Sequence, residues 1–266
     1  MSNPTSVTAR IALTVTQPAR LVFSVAVAQG TPTDRETLSI TVDGTEVPAT
    51  EVSSIAGTRL HVVDAPTGRL ELAYAADVTG SAPTPAVTDA EAIEYTRPSR
   101  YCESDRFNVL ASTQFAGLAG QELVTAVGAW VNGHMRYIPG FSGSTDSAID
   151  TLLAGQGVCR DFAHLTVAML RACGVPARLM AAYAPGLVPM DFHAVAEAAV
   201  AGRWQVVDAT RMVPRAGLVR IATGRDAADT AFLTVLSGRV TFGPVQVTCY
   251  AHDGLLPEDP SQPVHL

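Results

Sequence analysis

The sequence predicts an α+β protein in which an antiparallel β domain precedes a unit of helices followed by antiparallel strands. Three observations predict it. The first eighty residues alternate apolar and polar side chains with a period of two. Helical spacing takes over beyond them. The helices then come before a block of β-type runs instead of alternating with strands, as a doubly wound sheet would require.

The front part, residues 1–80, contains the runs Arg10 to Thr16, Arg20 to Val27, Thr37 to Val42 and Leu70 to Tyr74. Turn signals at Gly30, Asp43-Gly44 and Thr67-Gly68 separate them. Asp-Gly between two β-prone runs is a strong signal for a two-residue hairpin. Residues 81–95, opened by Gly80-Ser-Ala-Pro-Thr-Pro, are expected to be a linker, leaving residues 96–266 as a second domain. There, Leu118 to Met135 places Leu123, Val124, Val127, Trp130 and Val131 near helical spacing. A loop follows, Pro139-Gly-Phe-Ser-Gly-Ser-Thr145. A short helix is expected from Ser147 to Ala154, capped by Ser144, Thr145 or Asp146. A longer one is expected from Val158 to Cys173, stopped by Gly174 and Pro176. Strands are expected at Ala177 to Tyr183, Phe192 to Val200, Arg203 to Val207 and Arg239 to Tyr250.

Composition narrows the function classes. A chain of 266 residues with 47% hydrophobic residues buries a real core and is not a disordered segment. No apolar run approaches the roughly 20 residues of a membrane span. The start lacks a basic stretch followed by an apolar block, so a cytoplasmic location is expected. The net charge of −7 and scattered basic residues argue against a nucleic-acid surface. Cys102, Cys159, Cys173 and Cys249 form no CxxC pair, so neither a zinc site nor a disulfide framework is expected.

Among the four, Cys159 stands apart. In Gly155-Gln-Gly-Val-Cys-Arg-Asp-Phe-Ala-His-Leu165 it falls on the first turn of a helix, directly after a glycine-containing turn. Free backbone N–H groups and the helix dipole there stabilise a thiolate. The same donors can hold an oxyanion beside the sulfur. Cys173 and Cys249 read as packing residues, and Cys102 as a structural or cleft-wall residue.

A thiolate nucleophile needs a base, and the base needs an orienting carboxylate. His193 and Asp208 are the candidates. A two-residue turn at Ala201-Gly202 would set Val200 opposite Arg203 and Val195 opposite Asp208. His193 shares a face with Val195, so His193 and Asp208 become diagonal neighbours, roughly 7–8 Å apart at the backbone. A slip of one residue would send them to opposite faces.

The remaining polar residues have plainer readings. Asp161 is expected to satisfy donors near the helix start, and His164 to pack or bond internally, both able to support the site. Asp191, two residues before His193 and on its face, shapes the cleft, binds substrate or serves a turn. Gln156 and Tyr137 are both candidates for the second oxyanion donor. His61, His134, His252 and His265 read as surface or loop residues, and Trp204 as core.

The order Gly-Val-Cys159-Arg-Asp-Phe-Ala-His, then Asp-Phe-His193-Ala, then Trp-Gln-Val-Val-Asp208-Ala-Thr resembles the bacterial transglutaminase-like superfamily. The loop at Tyr137, the helix at Ala148 to Leu152 and the Arg220 to Asp229 run resemble it too, over about residues 120 to 232. The β-rich front resembles the domain that often precedes this core. The resemblance implies a papain-like, transglutaminase-like catalytic core with Cys159 as nucleophile, His193 as base and Asp208 as orienter. Arg160 stands where animal transglutaminases typically carry Trp, and members with this Cys-Arg-Asp pattern are usually read as cysteine peptidases. The implied function is thioester-forming hydrolysis of peptide or isopeptide bonds. Acyl transfer to an amine and a non-catalytic peptide-binding module are the alternatives. The chemistry requires no cofactor, and the expected partner is a peptide or protein substrate, not a nucleic acid or a membrane.

Overall fold

The computed structural model describes residues 3–54, 56–82 and 85–266. The front part is a twisted antiparallel sheet built on one long strand, β1 (Thr5–Phe23). Val7, Ala9, Ile11, Leu13 and Val15 of β1 are buried at every second position, the period a half-buried strand requires. The sequence suggests two strands here; the structure joins them through register shifts around Gln17. Pro18 has no N–H to give the ladder, and an irregularity accommodates it.

β2 (Thr33–Val42), β3 (Thr45–Glu46), β4 (Thr50–Ser53), β5 (Arg59–Ala65) and β6 (Gly68–Val78) complete this part in the order β3-β2-β6-β1-β5-β4. The first eleven residues of β1 pair with β6 and its last five with β5. The hairpin at Asp43-Gly44 is present: Val42 pairs with Thr45, and φ is +49° and +78° at the two turn residues. The strand expected to reach Val27 stops at Phe23. The buried segment after it is held by hydroxyls instead, Val27 N–H donating to Tyr74 at 3.0 Å and Tyr183 donating to the Val25 carbonyl at 2.7 Å. His61, expected at the surface, is buried in β5, because the alternation that buries Val63 and Ala65 also takes in residue 61.

Pro83 and Thr84 of the expected linker lie outside the described residues. Its second half is helical, α1 (Asp89–Glu94). Thr88 accepts from Glu91 N–H at 3.2 Å while the Glu91 carboxylate takes Thr88 N–H at 3.0 Å, a reciprocal cap that starts a helix without apolar periodicity. Next come α2 (Asn108–Gln114), α3 (Gly120–His134), β7 (Arg136–Tyr137), α4 (Ala148–Ala154), β8 (Gln156–Gly157) and α5 (Cys159–Ala172). Ser147 caps α4, not the residues before it, because its hydroxyl and Asp150 repeat the same reciprocal arrangement.

β9 (Ala177–Tyr183), β10 (His193–Val200), β11 (Arg203–Val207) and β12 (Val219–Gly224) form a second antiparallel sheet, ordered β11-β10-β9-β12. After α6 (Ala227–Thr230) the chain ends its regular structure with β13 (Leu233–Ala251). That strand, expected within the second unit, runs instead along the whole of β1. Pairing with β13 satisfies the backbone groups on the remaining side of β1.

Val124, Val127 and Val131 of α3 and Phe162, Leu165 and Met169 of α5 pack with Ala177, Ala196, Ala198 and Val207 of the second sheet. Tyr183, Val219, Ile221 and Ala222 join the core of the first sheet. Glu197, fully buried on β10, accepts from Arg178 at 2.8 Å and from Arg220 at 2.6 Å. The Arg178 guanidinium lies 4.0 Å from the centre of the Trp204 ring. Among the described residues, no helix is long and apolar enough to cross a membrane.

Candidate active site

Backbone pairing of two short segments delivers Cys159. Arg136 N–H donates to the Gly155 carbonyl at 3.0 Å and Ile138 N–H to Gly157 at 2.9 Å. This joins β7 to β8 in parallel and places Tyr137 beside the chain that enters α5. Gly155 ends α4 with φ +63°, a left-handed conformation that glycine adopts without penalty. Cys159 is then the first residue of α5, and no side chain of the preceding Val158 caps the helix. Its N–H is one of the first-turn donors that have no partner within the helix. Asp161 takes the N–H of Val158 at 2.8 Å instead, as expected of a residue satisfying donors near the helix start. A Cβ at Gly157 would sit 2.6 Å from the Asp161 carboxylate, so the glycine makes room for that contact.

All four thiols are free. Cys102 and Cys249 are buried, and burial raises both thiols, Cys249 to about 12. Burial also raises Cys173 at the end of α5. Cys159 alone sits half-buried at a helix start.

The strand register delivers the second half of the site. Val200 pairs with Arg203 and Ala196 with Val207, across a turn with φ of +49° at Ala201 and +73° at Gly202. His193 and Asp208 meet as that register predicts: Nε2 lies 2.8 Å from Asp208 Oδ2. Both side chains are essentially inaccessible. The other carboxylate oxygen of Asp208 accepts from the Thr210 N–H at 2.8 Å and hydroxyl at 2.7 Å. Burial alone would push the imidazole down. The hydrogen bond to Asp208, the Cys159 thiol and the charges of both outweigh it and raise His193 to about 10. Burial also works against the Asp208 carboxylate, yet His193 and Thr210 hold it below the ordinary range. Nδ1 of His193 is buried without a hydrogen bond, leaving that nitrogen for the sulfur.

Tyr137 shares this space. Burial, and next the charge of Cys159, raise its phenol to about 12, with Asp191 acting in the same direction. The carboxamide oxygen of Gln156, the other oxyanion candidate, takes Arg136 at 3.3 Å on the exposed side. Asp191 is exposed and accepts the N–H of Phe192 at 2.7 Å. His164 lies apart from these groups: fully buried, it accepts from Ala227 N–H at 3.1 Å and stacks on Tyr101. Burial pushes its pKa far down, which keeps it neutral, as an internal bonding role requires.

Two supports of the site went unread in the sequence. Thr210 completes an Asp-x-Thr turn around Asp208, a local pattern that turn chemistry could have revealed. Arg160 donates to Ser142 and to the Gly143 carbonyl, while Ser142 donates to Asp161 at 2.9 Å. These bonds tie the loop after Tyr137 to the first turn of α5. The loop's composition carries no signal of that contact. Among the described residues, no three His, Cys, Asp or Glu side chains converge as metal ligands.

A thiol at a helix start facing a buried His–Asp pair on an antiparallel sheet defines a papain-like arrangement. Residues 110–209 match the model of the transglutaminase-like superfamily. The crystal structure of a "Putative Cysteine Protease" from Cytophaga hutchinsonii superposes with a TM-score of 0.88 at 32% identity, covering 97% of this chain and 93% of that one. The chain belongs to the transglutaminase-like superfamily. The Mycobacterium leprae protein ML0607 is 32% identical over 128 residues, which are 45% of this chain and 46% of that protein. The match thus spans less than half of that relative.

Proposed function

We propose that the protein is a cysteine-dependent hydrolase of peptide or isopeptide amide bonds, with Cys159, His193 and Asp208 as its triad. The observation that carries this reading is the buried hydrogen bond of His193 Nε2 to Asp208 Oδ2 at 2.8 Å, with Nδ1 left without a partner and a free thiol as the first residue of α5. In the proposed mechanism His193 takes the proton of the Cys159 sulfur. The Cys159 thiolate attacks the amide carbonyl carbon, and the new C–S bond forms as the carbonyl π pair moves to oxygen. The Cys159 N–H and the Tyr137 hydroxyl face that oxyanion, each donor worth about 3–4 kcal/mol in comparable sites. Collapse breaks the C–N bond, and His193 delivers its proton to the departing amine. Water then attacks the thioester, gives a proton to His193, and releases the acid with the thiolate restored.

The test is digestion of a proteome-derived peptide mixture by wild type and by Cys159→Ala, read by mass spectrometry of new termini. Cleavages made by wild type and absent from the variant are expected. Identical termini from both proteins would sink the hydrolase reading. A fluorescent primary amine included in the mixture reports acyl transfer: its attachment to peptides would make the enzyme a transferase using the same triad.

A further inference from the structure

We infer that Arg215 is a positioning residue for the reaction: with residues 258–264 it clamps the outer edge of β11 and so keeps Asp208 in line with His193. The inference rests on the hydrolase reading of the site and adds to it the element that holds the orienting carboxylate in place.

β11 is the outermost strand of the second sheet, so the backbone groups on its outer side need partners from elsewhere. Val206, two residues before Asp208, shows where they come from. Its N–H donates to the Val264 carbonyl at 2.8 Å, and its own carbonyl accepts from Arg215 Nη1 at 3.1 Å. The Trp204 carbonyl accepts from the His265 ring at 2.7 Å. These bonds lay a stretch of chain along the strand that leads into the orienting carboxylate. Beyond Asp208 the chain is held by Thr210 and by Asn132, which donates to the Ala209 carbonyl at 2.8 Å. Arg215 and residues 258–264 supply the matching hold on the near side.

That stretch of chain has no helix or strand of its own, and Arg215 fixes it. Its main-chain N–H and its Nε both donate to the Glu258 carboxylate, at 2.7 and 2.8 Å. Nη2 donates to the carbonyls of Asp259 at 2.7 Å and Gln262 at 3.0 Å. The guanidinium is buried, and its planar fork reaches the strand and the stretch beside it at once. Arg211, Arg215, Glu258 and Pro260 also line one small cavity together with Asp208. The clamp is therefore part of the wall behind the carboxylate. Opening it admits water there, and a charge pair next to water is weaker. His193 then gives up its proton more readily, and the Cys159 thiolate loses the neighbouring charge that stabilises it.

The test reads the reactivity of Cys159 and needs no known substrate. Alkylation of Cys159 by iodoacetamide is followed against pH in wild type, Arg215→Ala and Glu258→Ala, with thermal melting measured in parallel. On the rising limb of the profile both variants should react about tenfold more slowly, a midpoint raised by about one pH unit toward the ~8.5 of a free thiol. On the alkaline plateau they should match wild type within about twofold, where every thiol is ionised. Lost stability alone lowers the melting temperature and leaves the profile where it was. Glu258 is exposed, so its removal spares the core, and Glu258→Ala decides the question if Arg215→Ala does not fold. A folded Glu258→Ala with the wild-type profile overturns the positioning role. A wild-type Cys159 as inert as Cys173 overturns the hydrolase reading beneath it.

Discussion

His193→Ala is expected to lower turnover of any peptide the wild type cleaves by about 10⁴–10⁶-fold, with the protein still folded. Related triads lose on this order when the general base or its orientation is removed. The imidazole has two tasks in the proposed mechanism, holding the proton of Cys159 and returning it to the leaving amine. Alanine performs neither. The pH dependence follows from the same group. His193 is raised above the ordinary histidine value of 6.5 to about 10, so the protonated ring persists through neutral pH. Its contribution to stability is complete below about 6.5 and is lost as pH rises through about 10. Activity should decline along the same alkaline limb, and that limb should be absent from the residual activity of the variant. A variant retaining more than a tenth of wild-type turnover would remove His193 from the mechanism.

The largest expected effect on stability lies away from the nucleophile. Glu197→Ala should destabilise the protein by about 3–5 kcal/mol, because it strips the shared partner from two arginines in the core. Burial would raise the Glu197 carboxyl, but Arg220 and Arg178 outweigh it and hold it at about 2. Its contribution is therefore present above about 4.5 and lost only as pH falls through about 2. Arg178 is 7% exposed and stacked on Trp204, so it cannot turn to solvent without opening the sheet. For a chain of this size the loss corresponds to roughly a 10 °C fall in melting temperature. Thermal unfolding followed by circular dichroism measures it, and a fall of under 2 °C would show that the guanidiniums find other partners.

The His193–Asp208 contact was legible because it is local. A glycine-containing turn sets the register, and alternation puts both side chains on one face. The position of Cys159 was legible for a similar reason, since glycines ending one helix and a polar run opening the next mark a helix start. What escaped depends on distant partners or on caps. Leu233–Ala251 reads as a strand, but nothing in its own pattern says that its partner is β1, more than two hundred residues earlier. α1 has no buried residue and hence no apolar period, although Thr88-Asp-Ala-Glu91 spells its cap. The tie from Arg160 through Ser142 to Asp161 joins a loop to a helix, and spacing along the chain does not encode it.

The most direct test of the account is the alkylation of the four cysteines by iodoacetamide, with the label located by mass spectrometry, in wild type and in His193→Ala. Cys102, Cys173 and Cys249 are held protonated by burial and should label slowly in both proteins. Cys159 should label far faster than any of them in wild type at neutral pH and lose that advantage in the variant. Equal labelling of Cys159 and Cys173 in wild type would contradict the claim that the start of α5 carries a nucleophile.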